Sequence, residues 1–337
     1  MGSERTTLVG TPVVVAPGKV FLIGEYAVLE EGPAVLAAVT RHAVAQFVPG
    51  MTPMSKLVDE AVRRAKAEIG EAAAALPPGS VLVNTEDFHQ GEQKLGLGSS
   101  AATAVATVGA FFEAAGVSIE MHRERLSALA LAAHRAAQGG VGSGADVIAA
   151  VHGGLIKVER TKSGPPRIEP LSAPAGLRLV VFWTGTAASS AHMIEGVQKF
   201  AKTDPVAYRE LMASLREIAS RFVAELREGR ATGAIAAAGR YGKRLEVLGA
   251  AAAVPIVNEP FKRAAELAKE LGGIAKPSGA GGGDIGIAMF ATPEAARLFA
   301  RALPKPLAPL DLDLDRFGVR RRMPDDPDAE ISGLFHV

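Results

Sequence analysis

Residues 94–116 hold the chain's densest grouping of residues suited to binding an anion: Lys94, Gly96, Gly98, Ser99 and Ser100, with Leu95 and Leu97 between them and an alanine-rich run directly after. This pattern predicts a loop feeding the start of a helix. Glycine lets the backbone come close to a ligand, the first helical turn leaves N–H groups without partners, and the helix dipole adds partial positive charge there. Together these make an anion site, for which phosphate is the usual occupant. The serine hydroxyls can cap the helix or reach a metal ion held by the phosphates. No Gly-Lys-Ser/Thr closes the loop, so it is not a Walker loop.

A lone Gly-Ser turn before a helix is most often only a turn, but two more glycine-rich segments accompany this one. Near the N-terminus, residues 16–26 read APGKVFLIGEY, with Lys19 after a Pro17-Gly18 turn signal and Glu25 past a short apolar run. Near the C-terminus, residues 276–290 read KPSGAGGGDIGIAMF. A fourth stretch, 134–160, carries Gly139, Gly140, Gly142 and Gly144 ahead of Asp146. There Asp146 either caps a new helix, worth about 1 kcal/mol, or faces a substrate that the glycines allow to approach.

The elements that must position these groups alternate along the chain. Strands are expected at 11–15, at 20–23 after the Pro17-Gly18 turn, and from the Glu30–Pro33 turn to about residue 39. An amphipathic helix fits 56–75, a strand 80–87, and small-residue helices 101–115 and 121–137. The stretch 161–170 reads as turn-rich, 177–183 as a strand, and 205–228 and 231–249 as long helices. Asn258 can cap a helix over 259–271, and Thr292 with Pro293 can start another. A final strand fits 316–322, and a domain change is expected around 165–178, dividing the chain into 1–172 and 173–337.

Lys plus Arg number 37 against 36 Asp plus Glu, a net charge of +1, which is no nucleic-acid-binding balance. With no cysteine, disulfides, thiolate metal sites and cysteine nucleophiles are excluded. No apolar run is long enough to span a bilayer, and the seven histidines show no metal-ligand spacing. The expectation is a soluble, cytoplasmic protein, a monomer or homodimer, with neither nucleic acid nor membrane as a partner. Met1, Gly2 and Thr6 fit the loose myristoylation pattern as well as they fit a cloning scar.

In order, APGKVFLIGEY, KLGLGSSAA and KPSGAGGGDIG resemble the three motifs of the GHMP small-molecule kinases. The resemblance covers almost the whole chain. It implies an α+β, two-domain GHMP kinase fold, with a first domain like domain 2 of ribosomal protein S5 and a ferredoxin-like C-terminal domain, and with ATP and substrate between them. Lys94 before the loop, the AAQGGVGSGADVIAAVHGG segment, WTGTAASS and SGAGGGD resemble the branch that phosphorylates 5-phosphomevalonate. Mevalonate kinases carry a glutamate that helps hold Mg²⁺ on the helix before the aspartate loop, and residues 134–138 here contain no acid.

The resemblance implies ATP and Mg²⁺ as cofactors, with Lys94, Gly96, Leu97, Gly98, Ser99, Ser100, Ala101 and Ala102 around the nucleotide phosphates and Ser99 or Ser100 on the metal. Lys19 and Asp146 are the implied catalytic pair. Lys19, Tyr26, Ser143, Ser189, Ser190, Ser278, Gly279 and Ala280 are the implied acceptor contacts, Tyr26 being, with His192, a weaker candidate for which a core or surface role is the alternative. A phosphate acceptor is already largely dianionic at pH 7, so Lys19 is expected to matter more than Asp146, which would orient groups rather than remove a proton. Rival readings are a kinase of mevalonate or another small alcohol, diphosphomevalonate decarboxylase, and a non-catalytic ligand-binding relative.

Overall fold

The computed structural model describes residues 11–140, 142–161, 164–323 and 334–335. The N-terminal lipidation pattern, Val141 of the aspartate-loop segment, and residues 162–163 of the turn-rich stretch therefore lie outside the described residues.

Two antiparallel sheets carry the fold. The first begins with β1 (Val13–Ile23), an almost wholly buried apolar strand, followed through a short 3₁₀ turn by β2 (Ala34–Pro49). The two strands expected on either side of Pro17-Gly18 are one strand. The β1–β2 register jumps between Pro17 and Gly18, where Pro17 pairs with His42 and Gly18 with Val39, so the turn signal is absorbed as a bulge. A β-carbon at Gly18 would lie 2.8 Å from both the Leu97 carbonyl and the Phe88 ring, so glycine is what lets this strand touch the loop around Leu97. β2 likewise runs ten residues past its expected end, because beyond Val39 it alternates buried and half-buried residues on the sheet's outer part.

After β2 come α1 (Lys56–Ile69), the short α2 (Glu71–Ala74) and β3 (Gly79–Asn84), which pairs with β2. A small hairpin, β4 (His89–Gln90) and β5 (Gln93–Lys94), delivers the chain to α3 (Ser99–Ala114). α3 is buried along nearly its whole length, and its alanines let it sit close against the sheet. α4 (Arg123–Ala137) and α5 (Ala145–His152) pack beside it, and β6 (Leu155–Glu159) and β7 (Arg167–Leu171) complete the sheet in the order β7–β6–β2–β1. The stretch read as turn-rich thus ends in an edge strand, the one place in a sheet where Pro170 and its missing N–H are tolerated.

The second sheet begins at β8 (Arg178–Trp183). Three helices follow, α6 (Ser190–Thr203), α7 (Pro205–Arg227) and α8 (Ala231–Ala251), then α9 (Glu259–Glu270), β9 (Ile274–Pro277), β10 (Ile285–Phe290), α10 (Pro293–Ala302) and β11 (Ala308–Pro309). Its order is β11–β8–β10–β9. Phe182, Phe261, Phe290 and Phe299 pack edge-to-face or tilted under α9 and α10, a separate core for this half. Thr292 caps α10 as expected, through Ala295 N–H. Asn258 does not cap α9; its amide donates to the Gly282 carbonyl at 3.0 Å and so ties the third glycine-rich segment in place.

The chain then returns to the first sheet. Only Arg320–Arg321 of the expected final strand pairs, as β12 on the outer edge of β1. Asp315 anchors the return: its carboxylate takes hydrogen bonds from the N–H groups of Phe317 and Gly318 and from Arg320, and lies 2.7 Å from His42 Nε2. Both halves layer helices on an antiparallel sheet, the α+β arrangement expected. Among the described residues no helix is long and apolar enough to cross a membrane.

Candidate active site

The register jump at Pro17-Gly18, where β2 carries the two extra residues Thr40 and Arg41, sets the site. Directly after it the Lys19 N–H leaves the sheet pattern and donates to the Leu97 carbonyl at 2.8 Å, and the Lys19 ammonium reaches the Gly96 carbonyl at 3.4 Å. The Lys19 side chain runs along Gly98, whose absent β-carbon would sit 3.1 Å from Lys19 Cε. The first and second glycine-rich segments are therefore one structure, with the lysine laid across the mouth of the loop.

Gly98, at φ 85°, is the N-cap of α3 and no side chain caps that helix. The hydroxyls of Ser99, which is buried, and Ser100, which is half-buried, are thus left free of the capping role and available to a ligand. The Ala102 N–H is committed to the first helical bond, to Gly98 O, leaving the amides of Ser99, Ser100 and Ala101 as the unbonded ones at this end. The side chains of Leu97, Ala101 and Ala102 are buried, so these residues can offer only backbone. Lys94 is exposed at the end of β5, on the approach to the loop.

On the other side of Lys19 a cavity of about 180 Å³ opens between the two halves. Of the expected acceptor and catalytic residues, Lys19, Tyr26, Ser143, Asp146, Ser190, Gly279 and Ala280 line it together, joined by Glu25, His134 and Gln138. Asp146 is the second residue of α5, whose N-cap is Gly144, and its side chain does not cap that helix; among the described residues Oδ1 accepts only from the neighbouring Val147 N–H, at 3.0 Å. Its other oxygen lies 3.9 Å from His134 Nε2, which in turn lies 3.0 Å from the Gln138 amide nitrogen. Tyr26, held at φ 64°, donates to the Ala280 carbonyl at 2.6 Å, and burial raises its hydroxyl pKa well above the ordinary tyrosine value, so it remains a donor.

Two expected acceptor residues are placed otherwise. The Ser278 hydroxyl is buried and accepts from the Phe21 N–H at 2.8 Å, stitching the third segment to β1. Ser189 caps α6 through His192 N–H, and His192 itself is exposed. Neither Ser189, Ser278 nor His192 lines the cavity.

Burial pulls the Lys19 ammonium below its ordinary range, and Asp146, then Asp284 and Glu25, push it back up. Lys19 therefore sits among three carboxylates from three elements. One of them, Glu25, is committed to Lys276, which donates to its Oε1 at 2.5 Å with both side chains almost wholly buried. Burial pushes the Asp284 carboxyl up, against the Ala188 N–H and the charges of Lys19 and Lys94. The sequence reading did not single out Lys276, Asp284, His134 or Gln138. Their only signal was membership of glycine-rich segments already marked, since partners 251 residues apart leave no local pattern.

Residues 56–154 match the family model for the GHMP kinases N-terminal domain, and residues 222–308 that for the GHMP kinases C-terminal domain. The chain is 30% identical to the phosphomevalonate kinase of Streptomyces sp. (strain CL190), over 87% of this chain and 96% of that protein. Among solved structures it resembles a Lin0012 protein from Listeria innocua at a TM-score of 0.83 and 26% identity, covering 91% of this chain and 98% of that one. It also resembles Streptococcus pneumoniae phosphomevalonate kinase in complex with phosphomevalonate and AMPPNP, at a TM-score of 0.78 and 21% identity over 90% and 99% of the two chains. With its three glycine-rich segments assembled around Lys19, the chain belongs to the GHMP kinase family.

Proposed function

We propose that this protein transfers the γ-phosphoryl group of ATP to the phosphate of (R)-5-phosphomevalonate, giving (R)-5-diphosphomevalonate and ADP. The observation that carries this reading is the position of Lys19, bonded to the phosphate loop through Leu97 and Gly96 and lining the cavity that holds Asp146. The relative from Streptomyces supports the choice of acceptor.

Phosphoryl transfer asks a protein mostly for positioning and charge neutralisation. The free amides of Ser99, Ser100 and Ala101 and the α3 dipole would hold the donor phosphates, with Gly96 and Gly98 allowing close approach and Lys94 adding charge from the rim. The Ser99 and Ser100 hydroxyls are hard oxygen donors free of the capping role, and so fit Mg²⁺. When bound, the metal supplies neutralisation of the phosphate charge. Lys19 would lie between donor and acceptor phosphates and stabilise the charge that develops there.

The acceptor phosphate needs no general base, since its second pKa is near 6. Asp146 then serves to orient Lys19 and the acceptor. Tyr26, Ser143, Ser190, Gly279 and Ala280 would hold the mevalonyl part, and Ser278 and Ser189 would act from behind by fixing the third segment and the start of α6. The division into a nucleotide-binding part, 1–172, and a C-terminal part, 173–337, belongs to this proposal. Coupled ADP release with Mg²⁺ and ATP tests it, with mevalonate, 5-phosphomevalonate and 5-diphosphomevalonate offered separately. ADP formation with 5-phosphomevalonate alone is expected, and turnover only with mevalonate or with the diphosphate would overturn the reading.

A further inference from the structure

Asp284 closes the run of glycines in the third segment and is held at φ 54°, one of four non-glycine residues with positive φ among the described residues. That conformation is costly for most side chains, though less so for Asp and Asn. Its backbone is pinned on both sides. The N–H donates to Thr186 O at 2.7 Å, and the carbonyl accepts from the Thr184 N–H at 2.8 Å and the Thr184 hydroxyl at 3.0 Å. A strained residue fixed this firmly next to a ligand loop marks a position where the side chain's direction matters.

The direction is toward the phosphate loop. A β-carbon on Gly96 would come within 2.5 Å of Asp284 Cβ and 2.9 Å of its Oδ2, so the loop backbone passes directly over the carboxylate. Oδ1 accepts from the Ala188 N–H at 3.1 Å. No hydrogen bond to Oδ2 is present among the described residues, and neither Lys19 nor Lys94 approaches it as an ion pair, although both charges act on it. Asp284 is absent from the lining of the acceptor cavity, where Asp146 stands. Lys19 thus has one carboxylate on its acceptor side and another on its nucleotide side.

A negative charge beside a polyphosphate cradle repels the nucleotide unless a cation lies between them. We infer that Asp284 makes nucleotide binding conditional on the divalent cation: its free carboxylate oxygen attracts the metal–nucleotide complex, directly or through the metal's water, and rejects the metal-free polyphosphate. This rests on the kinase reading above and assigns to the C-terminal half the acidic group that the amides and hydroxyls at the start of α3 lack. Asp284 is on this account a positioning and selectivity residue; the γ-phosphoryl group moves without its help as acid or base.

The test is equilibrium binding of AMPPNP to the full-length protein, by calorimetry, in Mg²⁺ and in EDTA. Asp284→Asn keeps an acceptor for the Ala188 N–H and tolerates the backbone conformation, while Asp284→Gly removes the side chain and relieves the positive φ. In both variants the affinity in Mg²⁺ should fall by about tenfold, the lower end for loss of a group that orients a metal's ligands. The affinity in EDTA should rise, so that the ratio between the two conditions collapses. Normal binding with an unchanged ratio in both variants, or an equal loss in both buffers, overturns the inference alone. Failure of the unaltered protein to bind AMPPNP in either buffer overturns the kinase reading itself, and this inference with it.

Discussion

Lys276 at the start of the third glycine-rich segment donates to Glu25 just past the end of β1, so a buried ion pair at 2.5 Å ties the second sheet to the first beside the cavity that Lys19 and Asp146 line. Both side chains are at most 1% exposed, and Glu25 Oε2 has no hydrogen-bond partner among the described residues. Burial alone pushes the Glu25 carboxyl up and the Lys276 ammonium down; each restrains the shift of the other. Removing one partner strands the other charge. Lys276→Met should destabilise the protein by about 3–5 kcal/mol in urea denaturation, and Glu25→Gln/Lys276→Met should recover much of that loss. A single-variant cost below about 1 kcal/mol, the range of exposed pairs, would mean that water reaches the pair.

Lys19 bridges the loop and the cavity, whereas Asp146 touches only the cavity side. With 5-phosphomevalonate as acceptor, Lys19→Met should lower kcat by about 10²–10³, the scale for loss of one group that stabilises transition-state charge. Asp146→Asn should cost about tenfold, well short of the 10²–10⁴ attributed to a general base. A larger kcat loss in the aspartate variant would return Asp146 to the role of base.

At Gly98 an alanine meets two obstacles, a φ of 85° and a β-carbon 3.1 Å from Lys19 Cε. Gly50, at φ 75° with nothing within 4 Å, meets only the first and serves as the control. Gly50→Ala should cost about 1–2 kcal/mol of stability with unchanged kinetics. Gly98→Ala should show a similar stability cost and, on the proposed role of Lys19, should in addition lose tenfold or more in kcat/KM for ATP through displacement of the lysine. Equal kinetics in the two variants would separate Lys19 from the loop.

Asp315 supplies a pH-dependent clasp for the returning C-terminal segment. Burial pushes its carboxyl up, but the hydrogen bond from His42, the charges of Arg320 and His42 and the Gly318 N–H outweigh this and hold it below the ordinary value of 3.8. A carboxyl depressed in the folded state contributes stability that is complete above its unfolded value and lost as pH falls through the lower folded value. Asp315→Asn should therefore be less stable than the unaltered protein at pH 6, and the gap should shrink below about pH 4. A gap that stays constant from pH 6 to pH 3 would show that the carboxylate's charge is irrelevant there.

What the sequence by itself determined is whatever depends on neighbours a few residues apart. The loop-to-helix junction at Gly98 and Ser99, the Thr292 cap with Pro293 after it, and the long helices α7 and α8 all follow from local rules of backbone freedom, capping and periodicity. The three ordered glycine-rich segments were legible as a resemblance to a family's motifs, and with them Lys19 and Asp146, which the fold brings to one cavity. The tertiary structure decided everything that depends on a partner far along the chain. Pro17-Gly18 is a bulge instead of a turn because β2 and the Leu97 loop close over it, and Asn258 serves the Gly282 carbonyl instead of its own helix. Ser278 is turned from a ligand group into a stitch by the Phe21 N–H, and Glu25, which the sequence suggested as a companion of Lys19, is claimed by Lys276. Burial and charge pairing are properties of the assembled cleft, and no window of sequence contains both halves of it.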